Sequence, residues 1–221
     1  MRHRGLIFIL AGLLLSGCTQ TAMELSSSDA AMTARDKELL AKARYAQADI
    51  PDQYKRQVVT YHRKELPGTV VVDTDNRYLY YVMPEGKALR YGVAVGEEAL
   101  VFSGVARVAR KADWPRWVPT ANIKRRLGNI PDMVEGGVDN PLGARALYLY
   151  EGNRDTLFRL HGTNQPEYIG HAISSGCIRL TNEDIIDLAS RVKIGSPVVV
   201  LAPTPGAAAP QVVASVGTNS L

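Results

Sequence analysis

His161 and Cys177 are two side chains in this sequence whose types and spacing could together do acyl chemistry. They bound the run HGTNQPEYIGHAISSGC, with the thiol sixteen positions after the imidazole. That is too far for one helical face, yet short enough for a loop between neighbouring strands to bring the pair together. A free thiol has a pKa of about 8.5 and is mostly protonated at neutral pH, and a neighbouring imidazole can take its proton. The thiolate can then attack a carbonyl carbon and form a thioester, splitting one difficult acyl transfer into two easier steps. The developing oxyanion needs donors already in place. Ser175-Gly176-Cys177 offers successive backbone N–H groups, and Gly176 allows a sharp turn with no Cβ in the way.

Two plainer readings compete with this one. Free cysteine is among the most buried residue types, so Cys177 also fits an inert core thiol and His161 a hydrogen-bonded histidine at a strand end. With His171 the pair outlines three metal ligands and no fourth, so neither metal nor cofactor is expected. The other cysteine, Cys18, decides whether Cys177 is free to react. Arg2 and Arg4 precede an apolar run at residues 6–15, too short to span a bilayer comfortably, and Ser16-Gly17 lead into Cys18. Residues 1–17 therefore read as a secretory signal, and their ending resembles a bacterial lipobox. That resemblance implies lipid on the Cys18 sulfur and a periplasmic protein anchored to a membrane. Thr19, standing where aspartate would mark inner-membrane retention, points to the outer membrane. Two acyl chains suffice for stable attachment. A thioether forms no disulfide, which leaves Cys177 as a lone exported thiol and invites a reactive role.

The rest of the chain must position this pair. At 221 residues, 46% hydrophobic and 22% charged, it has the composition of a soluble globular protein with one domain, or at most two small ones. The formal charge of +4 falls to +2 if Arg2 and Arg4 leave with a signal. Lys124-Arg125-Arg126 is a short solvated cluster, and no nucleic-acid partner is expected. Residues 18–54 are polar and Ser/Ala-rich at first and read as a lipidated tether, with a short helix at residues 37–45. Residues 203–221 read as a low-complexity tail.

Between them, residues 55–202 carry mostly strand signals. TVVVD and RYLYYVM flank Thr74-Asp75-Asn76 as a hairpin, and LRYGVAV, GVARVAR, RALYLYE, TLFRLHG and PVVVL follow as short β-branched or aromatic runs. The clearest helix is NEDIIDLASRV, with Ile185, Ile186, Leu188, Ala189 and Val192 on one face and acidic residues in its first turn. This pattern predicts a mostly β domain, a sandwich or barrel-like sheet with one main helix after Cys177. Trp114 and Trp117, in WPRWVPT, fit either a wall over the site or simple core packing.

The run HGTNQPEYIGHAISSGCIRLTNEDIIDLASRV, together with DNPLGARALYL upstream, resembles the YkuD-type L,D-transpeptidases over residues 69–201. The resemblance implies a mostly β domain that works on peptidoglycan stem peptides without a metal. It implies Cys177 as nucleophile, His161 as base, and Gly176 and Cys177 as amide donors to the oxyanion. Arg179 matches a basic position that either contacts a substrate carboxylate or braces the loop. Ser175 stands where many members carry a histidine, so support from a second imidazole is missing. His171 falls in the intervening loop, outside the motif. The expected reaction is 3–3 cross-linking of stem peptides. Attachment of outer-membrane proteins to peptidoglycan uses the same chemistry, and a lipoprotein that only grips the wall would need neither nucleophile nor base. A papain-like protease is disfavoured because cysteine would precede histidine there.

Overall fold

β-Branched and aromatic runs become strands wherever a turn lets them pair. The structure, a computed structural model, describes residues 30–45, 48–96, 102–173, 177–204 and 212–213. Cys18, Ser175, Gly176 and the expected signal lie outside them. Strands β2 (Val70–Asp73) and β3 (Tyr78–Met83) form the expected hairpin, with Val70 opposite Tyr81 and Asp73 opposite Tyr78. Asp73 holds the turn by accepting from the Asn76 amide at 3.0 Å. β4 (Lys87–Gly92) continues the meander, and β1 (Gln57–Thr60) pairs with its outer edge.

The other strands are β5 (Ala94–Gly96), β6 (Gly104–Asp113), β7 (Arg145–Glu151), β8 (Arg154–His161), β9 (Ala172–Ile173), β10 (Ile178–Arg179), β11 (Pro197–Val200) and β12 (Val212–Val213). All join one sheet in the order β1-β4-β3-β2-β11-β6-β7-β8-β10-β5-β9-β12. One core cluster gathers Leu79, Leu89 and Tyr91 from the first meander with Leu147, Leu160 and Ile178 from the far strands. The expectation of a mostly β fold holds.

Helix α1 spans Ala34–Ala41 and α2 Ala121–Leu127, while α3 (Asn182–Arg191) fills the place expected for the main helix. The Thr181 hydroxyl caps α3 by accepting from the Asp184 amide at 3.1 Å. Ile185, Ile186 and Leu188 are fully or almost fully buried in the core, each contributing about 1.5–3 kcal/mol of hydrophobic stabilisation.

Two stretches differ from the sequence-based expectation. Residues 30–54, read as tether, pack onto the sheet domain from Ala31 onward: Ala31, Met32, Leu39 and Leu40 lie against the main core and Ala43 is buried. This strap is held by Asp36, whose carboxylate is 1% exposed and meets Arg145 and Trp114. Within the stretch read as a tail, Val212 and Val213 add a two-residue edge strand parallel to β9. A pair of valines suits an edge whose neighbour offers free ladder groups.

Candidate active site

β8 ends on His161, and the chain returns through a 3-10 turn (Pro166–Tyr168) and β9 to enter β10 beside it. β10 runs parallel to β8, with Ile178 opposite Leu160 and Arg179 opposite His161. Cys177 therefore stands at the mouth of β10, two residues before the direct partner of His161. Its backbone is fixed by its carbonyl, which accepts from the Gly96 amide at 2.8 Å, and the His161 carbonyl accepts from Leu180 at 2.8 Å. Loop closure between neighbouring strands, expected from the sixteen-residue spacing, is what the structure contains.

His161 is 5% exposed, with Nδ1 2.7 Å from the Gly162 carbonyl oxygen. A carbonyl oxygen only accepts, so Nδ1 donates and the neutral ring keeps its lone pair on Nε2. Burial first, and then the nearby Arg179 charge, push the imidazole down to about 3, against the opposing pull of the Gly162 and Pro141 carbonyls. Its ring is thus neutral at neutral pH. Cys177 is 9% exposed, and its Sγ lies 3.6 Å from the Leu157 carbonyl oxygen. Leu157 occupies a bulge of β8 with φ of 60°, while its side chain points to solvent, 69% exposed. A left-handed leucine is a strained backbone position, and here the strain aims a carbonyl at the thiol.

Arg179 is buried, and one of its contacts is Nη1 donating to Gln165 Oε1 at 3.2 Å. Arg159, two residues before His161, holds Asp155 through two 2.7 Å bonds and stacks on Tyr148. The turn after His161 is packed without slack: a Cβ on Gly162 would collide with Asn182 Oδ1 and the Ala144 amide. Asn182 explains why. Its Oδ1 accepts from Ala144 N at 2.8 Å, and its Nδ2 donates to the Thr163 carbonyl at 2.9 Å.

Residues 67–200 match the YkuD family, described as the L,D-transpeptidase catalytic domain. The chain belongs to the YkuD family. It is 38% identical over 148 residues to a probable L,D-transpeptidase ErfK/SrfK of Salmonella typhimurium, covering 62% of this chain and 46% of that protein. It is 36% identical over 143 residues to the probable L,D-transpeptidase YcfS of Escherichia coli, covering 61% and 43%. The chain thus spans about half the length of the curated relatives it matches. A solved structure described as a probable carnitine operon oxidoreductase from Brucella melitensis is 45% identical, covering 72% of this chain and 99% of that one, with a TM-score of 0.47.

In this YkuD domain the structure brings His161, Cys177 and Arg179 together on β8 and the start of β10, while Ser175 and Gly176 fall outside the described residues. His171 is exposed. Among the described residues no group of three or more His, Cys, Asp or Glu could hold a metal ion. Trp114 is buried, with its indole donating to Asp36 at 2.8 Å, so it belongs to the core; Trp117 pairs with Val134 in an isolated bridge. Sequence reasoning missed Leu157, because nothing in TLFRL marks a left-handed residue. It also missed Asn182, which reads only as the start of a helix.

Proposed function

We propose that this protein is a peptidoglycan L,D-transpeptidase in which Cys177 is the nucleophile and His161 the base. The observation that carries the reading is the parallel β8/β10 register, combined with an imidazole whose Nδ1 is committed to Gly162 and whose ring is held neutral. Binding to the wall alone would require neither feature.

Nε2 of His161 takes the Sγ proton, and the sulfur bonds to the carbonyl carbon of the third, diamino acid residue of a tetrapeptide stem. The tetrahedral oxyanion collapses, the C–N bond to the terminal D-alanine breaks, and His161 returns the proton to the leaving amine. An acceptor amine then attacks the thioester and gives its proton to His161. A new C–N bond forms, the C–S bond breaks, and the thiolate regains its proton. Backbone amides at Gly176 and Cys177 stabilise both oxyanions in this scheme.

Another stem as acceptor gives a 3–3 cross-link, which we take as the reaction. Attachment of an outer-membrane protein is the second reading, favoured by the lipobox-like ending at Cys18, which would place the enzyme on the periplasmic face of the outer membrane. Muropeptide mass spectrometry with defined tetrapeptide stems, with and without acceptor proteins, tests both. Cys177→Ala should abolish every product while the protein stays folded. Unchanged products would refute the assignment, and products formed only with a protein acceptor would select the second reading.

A further inference from the structure

Two side chains of the strap, Asp36 and Tyr45, make polar contacts that lead to the backbone around His161, while its Gln53 carbonyl accepts from Tyr78 and Arg90 on the first meander. The first is Asp36. Its Oδ2 accepts from Arg145 Nη2 at 2.7 Å and its Oδ1 from Arg145 Nη1 at 2.9 Å, a bidentate pair with the Arg145 side chain only 8% exposed. Trp114 donates to the same carboxylate at 2.8 Å, and Thr33 completes a capping box with it. Arg145 opens β7, and its carbonyl accepts from the Gly162 amide at 3.0 Å. Gly162 in turn offers its own carbonyl to His161 Nδ1. Ala146, the next residue of β7, pairs with His161 itself.

The second contact is Tyr45, whose hydroxyl meets the Nδ2 of Asn182. That same amide group donates to the Thr163 carbonyl, and the other end of Asn182 takes the Ala144 amide. Ala144 also receives the other neighbours of the first contact: its carbonyl accepts from Arg145 Nη1 and from the Trp114 amide, each at 2.8 Å. So the two strap contacts close on the pairs Ala144–Arg145 and Gly162–Thr163, and the second pair contains the carbonyl that anchors the imidazole.

We propose that the docked strap, through Asp36 and Tyr45, is a positioning element that sets the His161 ring against the Cys177 thiol. The inference rests on the reading of His161 as base, and it adds residues outside the family match at 67–200 to the machinery of the site. Two physical points support it beyond general stabilisation. Fixed hydrogen bonds on the turn's backbone transmit displacement directly, since the packed glycines leave Asn182 no room to take up movement. A shift of about 1 Å at a base is enough to cost up to about a hundredfold in rate. Tyr45 is the informative residue, because removing its hydroxyl leaves the ring to pack as before. Asp36 and Tyr45 touch neither the thiol nor a substrate in this scheme. They act through Arg145, Asn182 and Gly162.

The test compares full-length wild type, Tyr45→Phe, Asp36→Asn and His161→Ala. Three measurements are made: melting temperature, rate of iodoacetamide alkylation at Cys177 against pH (read on the Cys177 peptide), and kcat and KM with a tetrapeptide stem. His161→Ala is the reference and should move the alkylation profile toward that of a free thiol near pH 8.5. Tyr45→Phe should keep the melting temperature, move the profile in the same direction, slow alkylation at pH 7 by about tenfold, and lower kcat with KM unchanged. Asp36→Asn should shift the profile likewise, whatever it does to melting temperature. If His161→Ala shifts the profile while both strap variants keep the wild-type profile and kcat, the positioning role is overturned and the proposed function stands. Activity that falls only in step with melting temperature, with an unmoved profile, also overturns it. If His161→Ala leaves the profile unmoved, the base assignment fails, and the positioning role fails with it.

Discussion

Arg179 stands directly across the β8/β10 pair from His161, and its positive charge is the largest cause after burial of the ring's low proton affinity. A cation beside a base keeps the base empty. Whatever else Arg179 contacts, its charge favours the neutral form of the His161 ring.

The pH dependence follows. An unfolded histidine titrates near 6.5, whereas His161 in the fold is held down to about 3. The acylation rate should therefore show no inflection near pH 6.5 on its acid side. Arg179→Gln removes one cause of the depression and should move the acid limb upward. The same difference links to folding: the stabilisation tied to neutral His161 is complete above about pH 6.5 and is lost as pH falls toward 3, because the unfolded chain binds the proton first. Stopped-flow acylation and denaturant titrations across pH 4–8 check both. An acid limb at 6.5 in wild type contradicts the first, and stability unchanged across that range contradicts the second.

Leu157 makes an independent case. Its φ of 60° suits glycine, and its side chain is mostly in solvent, so packing is not what holds it. Leu157→Gly should leave stability unchanged or raise it while keeping the carbonyl at the thiol. Leu157→Val, β-branched at a left-handed position, should cost about 1–3 kcal/mol. Urea midpoints that fall equally for both variants would show that the conformation is not the issue.

Gly162→Ala places a methyl group against Asn182 Oδ1 and the Ala144 amide. Overpacking of this kind costs about 1–3 kcal/mol, and because it displaces the carbonyl that orients His161, turnover should fall further than the stability loss explains. Transpeptidation rates measured well below the melting temperature separate the two effects.

Asp36→Asn should cost about 1–3 kcal/mol at neutral pH, since it removes the buried bidentate partner of Arg145 and leaves only the exposed Asp113 carboxylate at its Nε. Burial alone would raise the Asp36 carboxyl, but hydrogen bonds from Arg145, Thr33 and Trp114 outweigh it and hold the group well below the usual carboxylate range. The stabilisation is therefore present above about pH 4, where the unfolded carboxyl is ionised, and is lost as pH falls below it. The gap between wild type and variant should narrow steadily below about pH 4 and close only where the folded Asp36 carboxyl itself takes up a proton. A gap that stays constant with pH would contradict the charge-based account.

Much of this molecule can be read directly from the residues. The Val70–Asp73 and Tyr78–Met83 hairpin follows from β-branched runs around an Asp-containing turn, and α3 from its apolar face and acidic first turn. The His161–Cys177 approach follows from a strand, a loop of workable length and a second strand. The docked strap does not, because its hold is an ion pair between Asp36 and Arg145, 109 residues apart, in a stretch whose local composition is that of a linker. Local signals carry no record of so distant a partner. Leu157 is hidden for the opposite reason: its conformation is imposed by the bulge against β7 and runs counter to its own preference.

The short strand β10 is sandwiched between β8 and β5, pairing Ile178 with Leu160 on one side and with Val95 on the other. Two residues cannot hold such a place alone, so β10 settles only after partners more than eighty residues upstream have arrived, a late event on any folding route. Until then the sulfur has no imidazole beside it. The pairing of thiol and imidazole therefore belongs to the completed fold and to no earlier stage of it.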